Sequence, residues 1–250
     1  MTKNWAEKFY ETQYRILRQE GEITDYEKHF AKDIKEQLGK PLGNILELGA
    51  WDGRLARTLA AHAESITTVE LVPEMVSVAK SHSTPNIMAL CGNFYEIELD
   101  NTFDTVLYMD GFGVGEDRDQ LLLLERIRNW LSDEGTIIID VYNPVHWIKA
   151  DGQTMRPDPV NHPTVQRRYD YDHKNNKMID TWWQTDVAED AVSQYLKCYT
   201  PEEIYMLCQR AGLDIVGYFP NGAMDYNAWR YYDNASLREC LSYRIKAKRN

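Results

Sequence analysis

The chain has 250 residues, with 28 Lys and Arg against 39 Asp and Glu and a net charge of −11. That length gives one large domain or two small ones with a buried core, and the acidic balance excludes sequence-independent binding to phosphate backbones. The one basic cluster, Lys246, Lys248 and Arg249, reads as a solvated tail. Trp and Tyr (7 and 16) outnumber Phe (6), and such polar-tipped aromatics suit half-wet surfaces better than a dry core.

No run approaches the roughly 20 apolar residues of a membrane span. The stretch Met1-Thr2-Lys3-Asn4-Trp5 lacks the apolar core of a secretory signal. Cys91, Cys198, Cys208 and Cys240 lie far apart, with no CxxC pair and no histidine at metal-ligand spacing. The expectation is a soluble, cytoplasmic protein with reduced thiols, no metal site and no membrane partner.

In chain order, Trp5, Phe9, Ile16 and Leu17, then Tyr26, Phe30, Ile34 and Leu38, recur at helical spacing. Gly21 separates these two helices, and Gly39-Lys40-Pro41 stops the second. From residue 44 the pattern alternates: strands over 45–48, 65–71, 86–90, 103–109 and 136–141, with helices over 54–62, 73–79 and 118–131 between them. Continuous apolar strands in βαβ order argue a parallel sheet covered on both faces. Residues 151–163 form a polar, proline-bearing loop. Residues 166–171 and 178–183 then read as a hairpin, with 193–199 as a third antiparallel strand. Thr200-Pro201-Glu202-Glu203 is a capping box that opens a helix closed by Gly212, and 213–219 and 240–247 are the last strands.

The chemistry concentrates in Ile45–Gly53, ILELGAWDG, where a strand enters a glycine turn and then a helix. A dinucleotide site needs a second glycine where Trp51 stands, to admit a pyrophosphate. Glu70, at the tip of the next strand, can accept from both hydroxyls of a ribose. Together these specify a nucleoside ligand without a pyrophosphate and disfavour an NAD-dependent oxidoreductase.

On these residues, 44–142 resembles the core of class I S-adenosylmethionine-dependent methyltransferases. The family's first motif matches Glu47-Leu48-Gly49-Ala50-Trp51-Asp52-Gly53. Its ribose acid matches Glu70, with Leu71 against adenine, and its adenine-amino ligand matches Asn93 in Gly92-Asn93-Phe94. The segment lining the methionine moiety matches Tyr108-Met109-Asp110-Gly111-Phe112-Gly113, and the following strand, with its glycine, matches 135–141. Trp51 departs from the usual small residue, and Asn93 stands where Asp is frequent. The resemblance implies a doubly wound, Rossmann-like, mostly parallel seven-stranded α/β sheet in a single domain over 1–250. Its parts are an N-terminal helical lid over 1–40, the cofactor core over 44–142, a small antiparallel flap over 144–199, and a C-terminal helix and two strands over 200–250. It implies S-adenosylmethionine as cofactor, with S-adenosylhomocysteine as product.

Tyr14, on the lid, either reaches the cofactor or packs on the sheet, and Asp110 is either a catalytic residue that steers a substrate amine or the cap of a turn. The flap resembles that of glycine and aminosugar N-methyltransferases. Its Trp147, Tyr169, Tyr171, Trp182, Trp183, Tyr195 and Tyr199 wall a pocket or form a homodimer interface. The function so implied is methyl transfer to a small molecule, an amine in preference to a hydroxyl. The competing reading is a non-catalytic S-adenosylmethionine-binding protein. Asn143-Pro144 follows the wrong strand for a base-methylating motif, and His146, His162 and His173 read as surface residues.

Overall fold

The computed structural model describes residues 4–17, 21–187 and 191–250; the reading of residues 1–3 lies outside them. Among the described residues no helix is long and apolar enough to cross a membrane. The chain opens with α1 (Asn4–Leu17) and α2 (Asp25–Leu38). Thr24 and Glu27 cap α2 reciprocally, and Gly39 ends it at φ 65° with its N–H on the Lys35 carbonyl. Ala31, Ile34 and Leu38 are buried, whereas Tyr26, expected on the same stripe, is 68% exposed.

The core alternates β1 (Asn44–Leu48), α3 (Arg54–Leu59), β2 (Ser65–Glu70), α4 (Pro73–His82), β3 (Ile87–Cys91), β4 (Phe103–Tyr108), α5 (Asp117–Trp130) and β5 (Leu131–Tyr142). There follow α6 (Pro144–Lys149), β6 (Thr154–Met155), β7 (Val165–Asp172), β8 (Lys177–Gln184), β9 (Val192–Lys197), α7 (Pro201–Arg210), β10 (Leu213–Pro220), β11 (Ala223–Asp225), β12 (Arg230–Tyr232) and β13 (Ser242–Arg249). The central seven-stranded sheet has the order β10-β13-β5-β4-β1-β2-β3, with β13 antiparallel to both of its neighbours. Successive side chains of its strands enter opposite cores: Leu46 and Leu48 pack under α5 and α7, while Ile45 packs under α2 and α3. This two-sided burial is why the strands read as unbroken apolar runs.

Three local expectations give way. The basic cluster is the end of strand β13 rather than a tail; Lys246 Nζ donates to the Leu38 carbonyl at 2.6 Å. β5 begins at Leu131, five residues before the apolar run, with a register shift that absorbs the turn at Gly135. Helix α6 and the β11–β12 hairpin carry too little apolar periodicity to be read from sequence.

The flap is a four-stranded antiparallel sheet, β6-β7-β8-β9. It is tied to the core at Gly113, whose carbonyl accepts from Lys197 N–H at 2.9 Å. A Cβ there would sit 2.4 Å from the Lys197 carbonyl oxygen, and φ is 117°, so the close approach requires glycine. Helix α1 packs on this flap: Phe9 and Ile16 are buried against Val165, Trp182 and Val192. Helix α2, by contrast, covers the central sheet.

Candidate functional site

Strand order reverses between β1 and β4, and the carboxyl ends of β1, β2 and β4 open there into a crevice, the topological switch point at which doubly wound sheets bind ligands. The crevice is a cavity of about 670 Å³, within the roughly 300–1,000 Å³ of small-molecule sites. Helix α1 and the flap close its far side.

Gly49 leaves β1 at φ 65°, and its N–H and that of Ala50 donate to the Val69 carbonyl at 2.8 and 3.4 Å. Trp51 follows in the left-handed region at φ 53°, where a non-glycine residue is strained. Glu70 pins it: one carboxyl oxygen accepts Trp51 N–H and the other accepts Val72 N–H, both at 3.0 Å. The indole lies edge-on to Tyr14, ring centroids 5.5 Å apart, in a cluster with Val72 and Met75.

Glu47, Gly49, Ala50 and Trp51 from the first turn line the cavity, as do Glu70, Leu71, Asn93 and Phe94 from the next two strand ends. Met109 and Asp110 complete the sequence-derived set on the wall. Tyr14 and Gly53 stand back from it. Tyr14 is buried behind Trp51, and Ala6, Tyr10, Gln13 and Leu17 are the residues of α1 that reach the cavity. Gly53 caps α3 at φ 76°, where a Cβ would press on Ala79 of α4 at 3.1 Å, so its glycine serves helix packing.

Burial raises both floor carboxyls, Glu47 to about 8, with the charges of Glu70 and Asp52 adding to it, and Glu70 to about 7. Glu47 Oε2 is buried with no hydrogen-bond partner in the protein. An orphaned acceptor on the cavity wall fits a ligand that brings a cation or an N–H.

At the opposite end Asp110 sits at φ 53°, accepting a hydrogen bond from the Tyr142 hydroxyl, and burial raises its carboxyl. Beyond it lies a polar set that the sequence reading missed. Asp180 is fully buried and receives Nε and Nη2 of Arg167, both at 2.8 Å, and Nε2 of Gln194 at 2.8 Å. Tyr10 Oη donates to Gln194 Oε1 at 3.2 Å, joining α1 to the flap. The Arg167 guanidinium stands 4.6 and 4.8 Å from the ring centroids of Tyr169 and Trp182. A signal existed: Met178, Asp180 and Trp182 share one face of β8, which puts an acid in an apolar row.

Of the seven flap aromatics, Trp147 and Tyr169 line the cavity. Tyr171, Trp182 and Tyr199 are buried behind it, and Tyr195 and Trp183 keep part of their surface outward. His146, expected at the surface, is buried on α6, whereas His162 is half-buried and His173 exposed.

A doubly wound sheet with a glycine turn, a ribose-type acid on the next strand and no room for a pyrophosphate at Trp51 defines the class I S-adenosylmethionine-dependent methyltransferases. Residues 45–135 of the chain match the family described as "Methyltransferase domain". An uncharacterized methyltransferase of Bacillus cytotoxicus is 24% identical over 122 residues, 48% of this chain and 58% of the relative, so the chain spans a little over half the length of such curated relatives. The fold matches that of the CcbJ methyltransferase from Streptomyces caelestis (TM-score 0.70, 18% identity, 89% of each chain). It also matches an amino pentose methyltransferase from Micromonospora echinaspora with S-adenosylmethionine bound (TM-score 0.63, 20% identity, 97% of each chain).

Proposed function

We propose that this protein methylates an amine nitrogen of a small molecule, with S-adenosylmethionine as donor. The observation that carries the reading is the charge of the cavity. Glu27, Asp52, Glu96 and Asp119 line it, together with the buried, raised carboxyls of Glu47, Glu70 and Asp110, which ionise beside a cation; among the described residues Arg54 and Arg167 are the basic groups on the wall, and Arg167 is committed to Asp180. A wall of that sign, with Tyr and Trp rings among the carboxyls, favours cations, both a sulfonium and a protonated amine. The amino pentose methyltransferase of the same fold supports an amino sugar as the acceptor class.

When bound, S-adenosylmethionine supplies a methyl group already activated by its sulfonium. Glu70 and Asn93 are the residues to hold the nucleoside, and Glu47 the amino end of the methionine moiety. The chain's own contribution is alignment and exclusion of water, which supplies up to about 7–11 kcal/mol in ideal cases. Asp110, with Tyr142 on one carboxyl oxygen, presents the other to an incoming N–H, and a raised carboxyl is a better proton acceptor than an ordinary one.

The test is transfer of labelled methyl from S-adenosylmethionine to a panel of amino sugars and their hydroxyl analogues, with products located by NMR. N-methylated product supports the proposal. Product on oxygen alone moves the acceptor to a hydroxyl, and cofactor binding without turnover on any acceptor favours the non-catalytic reading. Thermal stabilisation by NAD and not by S-adenosylhomocysteine sinks both.

A further inference from the structure

The first turn of α6 divides two cavities. Trp147 faces the one described above, and its neighbour His146 faces a second, of about 480 Å³, beneath the β11–β12 hairpin. That volume also lies within the roughly 300–1,000 Å³ of small-molecule sites. His146 is only 1% exposed; its ring bonds to the Glu239 backbone, and Nε2 lies 3.2 Å from Tyr226 Oη. Burial pushes the imidazole down to about 4, so at neutral pH one ring nitrogen donates to the Glu239 carbonyl and the other accepts from Tyr226. The Tyr226 oxygen keeps its lone pairs for a ligand hydroxyl.

Asp225 supports the same chemistry. Its Oδ1 accepts the N–H groups of Asn227 and Ala228 at 2.9 and 3.1 Å, which fixes the carboxylate and leaves Oδ2 to the cavity. Tyr232 lines the rim at 44% exposure, with the Arg230 guanidinium 5.1 Å from its ring centroid. Lys149 is the one cation among the lining residues, which also include the carboxyls of Asp225 and Glu239, so the charge suits neither a phosphate nor a nucleotide. Fixed hydrogen-bonding groups beside an aromatic face match a ring with a hydroxyl edge and a C–H face.

We propose that this second cavity binds a neutral pyranose ring, its hydroxyls on Asp225 and Tyr226 and its C–H face on Tyr232. The site stands whether or not the first cavity transfers methyl groups. Saturation-transfer NMR with methyl β-D-glucopyranoside tests it, with and without S-adenosylhomocysteine. Transfer to the ring protons is expected in both conditions, falling about tenfold, the equivalent of one good contact, in Tyr226→Phe and in Tyr232→Ala. Tyr232→Ala should keep the wild-type thermal transition, while Tyr226→Phe, which leaves the buried His146 Nε2 without its donor, should melt cooperatively at a lower temperature; signal lost in Tyr232→Ala at an unchanged transition separates loss of the site from loss of the fold. The proposal is overturned by no transfer in the wild type or by transfer undiminished in both variants. It is equally overturned by transfer abolished by S-adenosylhomocysteine, which would place the glucoside in the first cavity, or by displacement with inorganic phosphate. A dimer in sedimentation that Tyr232→Ala dissolves, with no glucoside signal, would make the hairpin an interface and overturn it too.

Discussion

Glu70 does two jobs with one carboxyl group: it holds the strained Trp51 turn through two backbone N–H groups and it lines the cavity floor. Glu70→Ala should therefore weaken S-adenosylhomocysteine by at least about tenfold in calorimetry, and should lower stability by about 1–3 kcal/mol because two buried donors lose their acceptor. Unchanged affinity would remove Glu70 from the cofactor site. Glu47 supplies a pH dependence with a definite sign. Its folded value of about 8 lies above the ordinary 4.5, so between those values the folded chain holds a proton that the unfolded chain releases. Stability assigned to Glu47 is then full at low pH and is lost as pH rises toward 8. Glu47→Gln should flatten that slope, so that the variant gains on the wild type in thermal melts from about pH 4.5 to about 8. A cationic ligand works against the same proton. Affinity for S-adenosylhomocysteine should rise over this window, with proton release seen as a buffer-dependent heat, and an affinity flat with pH would show that no cation meets Glu47.

At the level of elements, the flap and α1 meet through a charge that neither could bury alone. Asp180 lies fully buried among Arg167, Gln194 and, through Gln194, Tyr10 of α1. Removing one partner strands the other, so Asp180→Ala should cost toward the low end of about 3–5 kcal/mol, since Arg167 keeps a quarter of its side chain in water. The pair Asp180→Leu with Arg167→Met should cost less than the two single changes summed, and urea unfolding of the cycle measures the difference. Strict additivity would show that the ion pair contributes nothing. This network also marks where sequence reading stops. The strand–turn acids Glu47 and Glu70 were legible because the core strands are covered on both faces and end at one switch point, which ties spacing to place. Arg167, Asp180 and Gln194 lie on three strands of a separate sheet, and only its register, Asp180 opposite both Tyr169 and Gln194, brings them together. Tyr14 lies between two readings in the sequence for a related reason: on a helix one residue's difference in phase decides between cavity and core, and Tyr10 and Gln13 hold the cavity phase.

Across the whole molecule the four thiols sample separate parts of the fold. Cys91 ends β3 at the open edge of the central sheet and is exposed, with Sγ 3.8 Å from the Leu71 carbonyl beside the cavity. Cys198 follows β9 under the flap, Cys208 lies on α7, and Cys240 precedes β13; all three are buried. Burial pushes the Cys198 and Cys208 thiols up to about 12 and raises Cys240 as well. A thiol reacts as the thiolate, so these three are protected twice, by access and by protonation. Native protein should accordingly react with a disulfide reagent at a single fast thiol, Cys91, and at all four in denaturant. Partial urea should release Cys198 first if the flap opens as a unit, since Cys198 lies in the cluster of Tyr169, Tyr171, Met178 and Leu196 under the flap, whereas Cys208 and Cys240 sit in the main core and report its global unfolding. Release of all three in one step would make flap and core a single cooperative body. That outcome bears on function as well, because a flap that opens separately is the route by which an acceptor enters and a methylated product leaves.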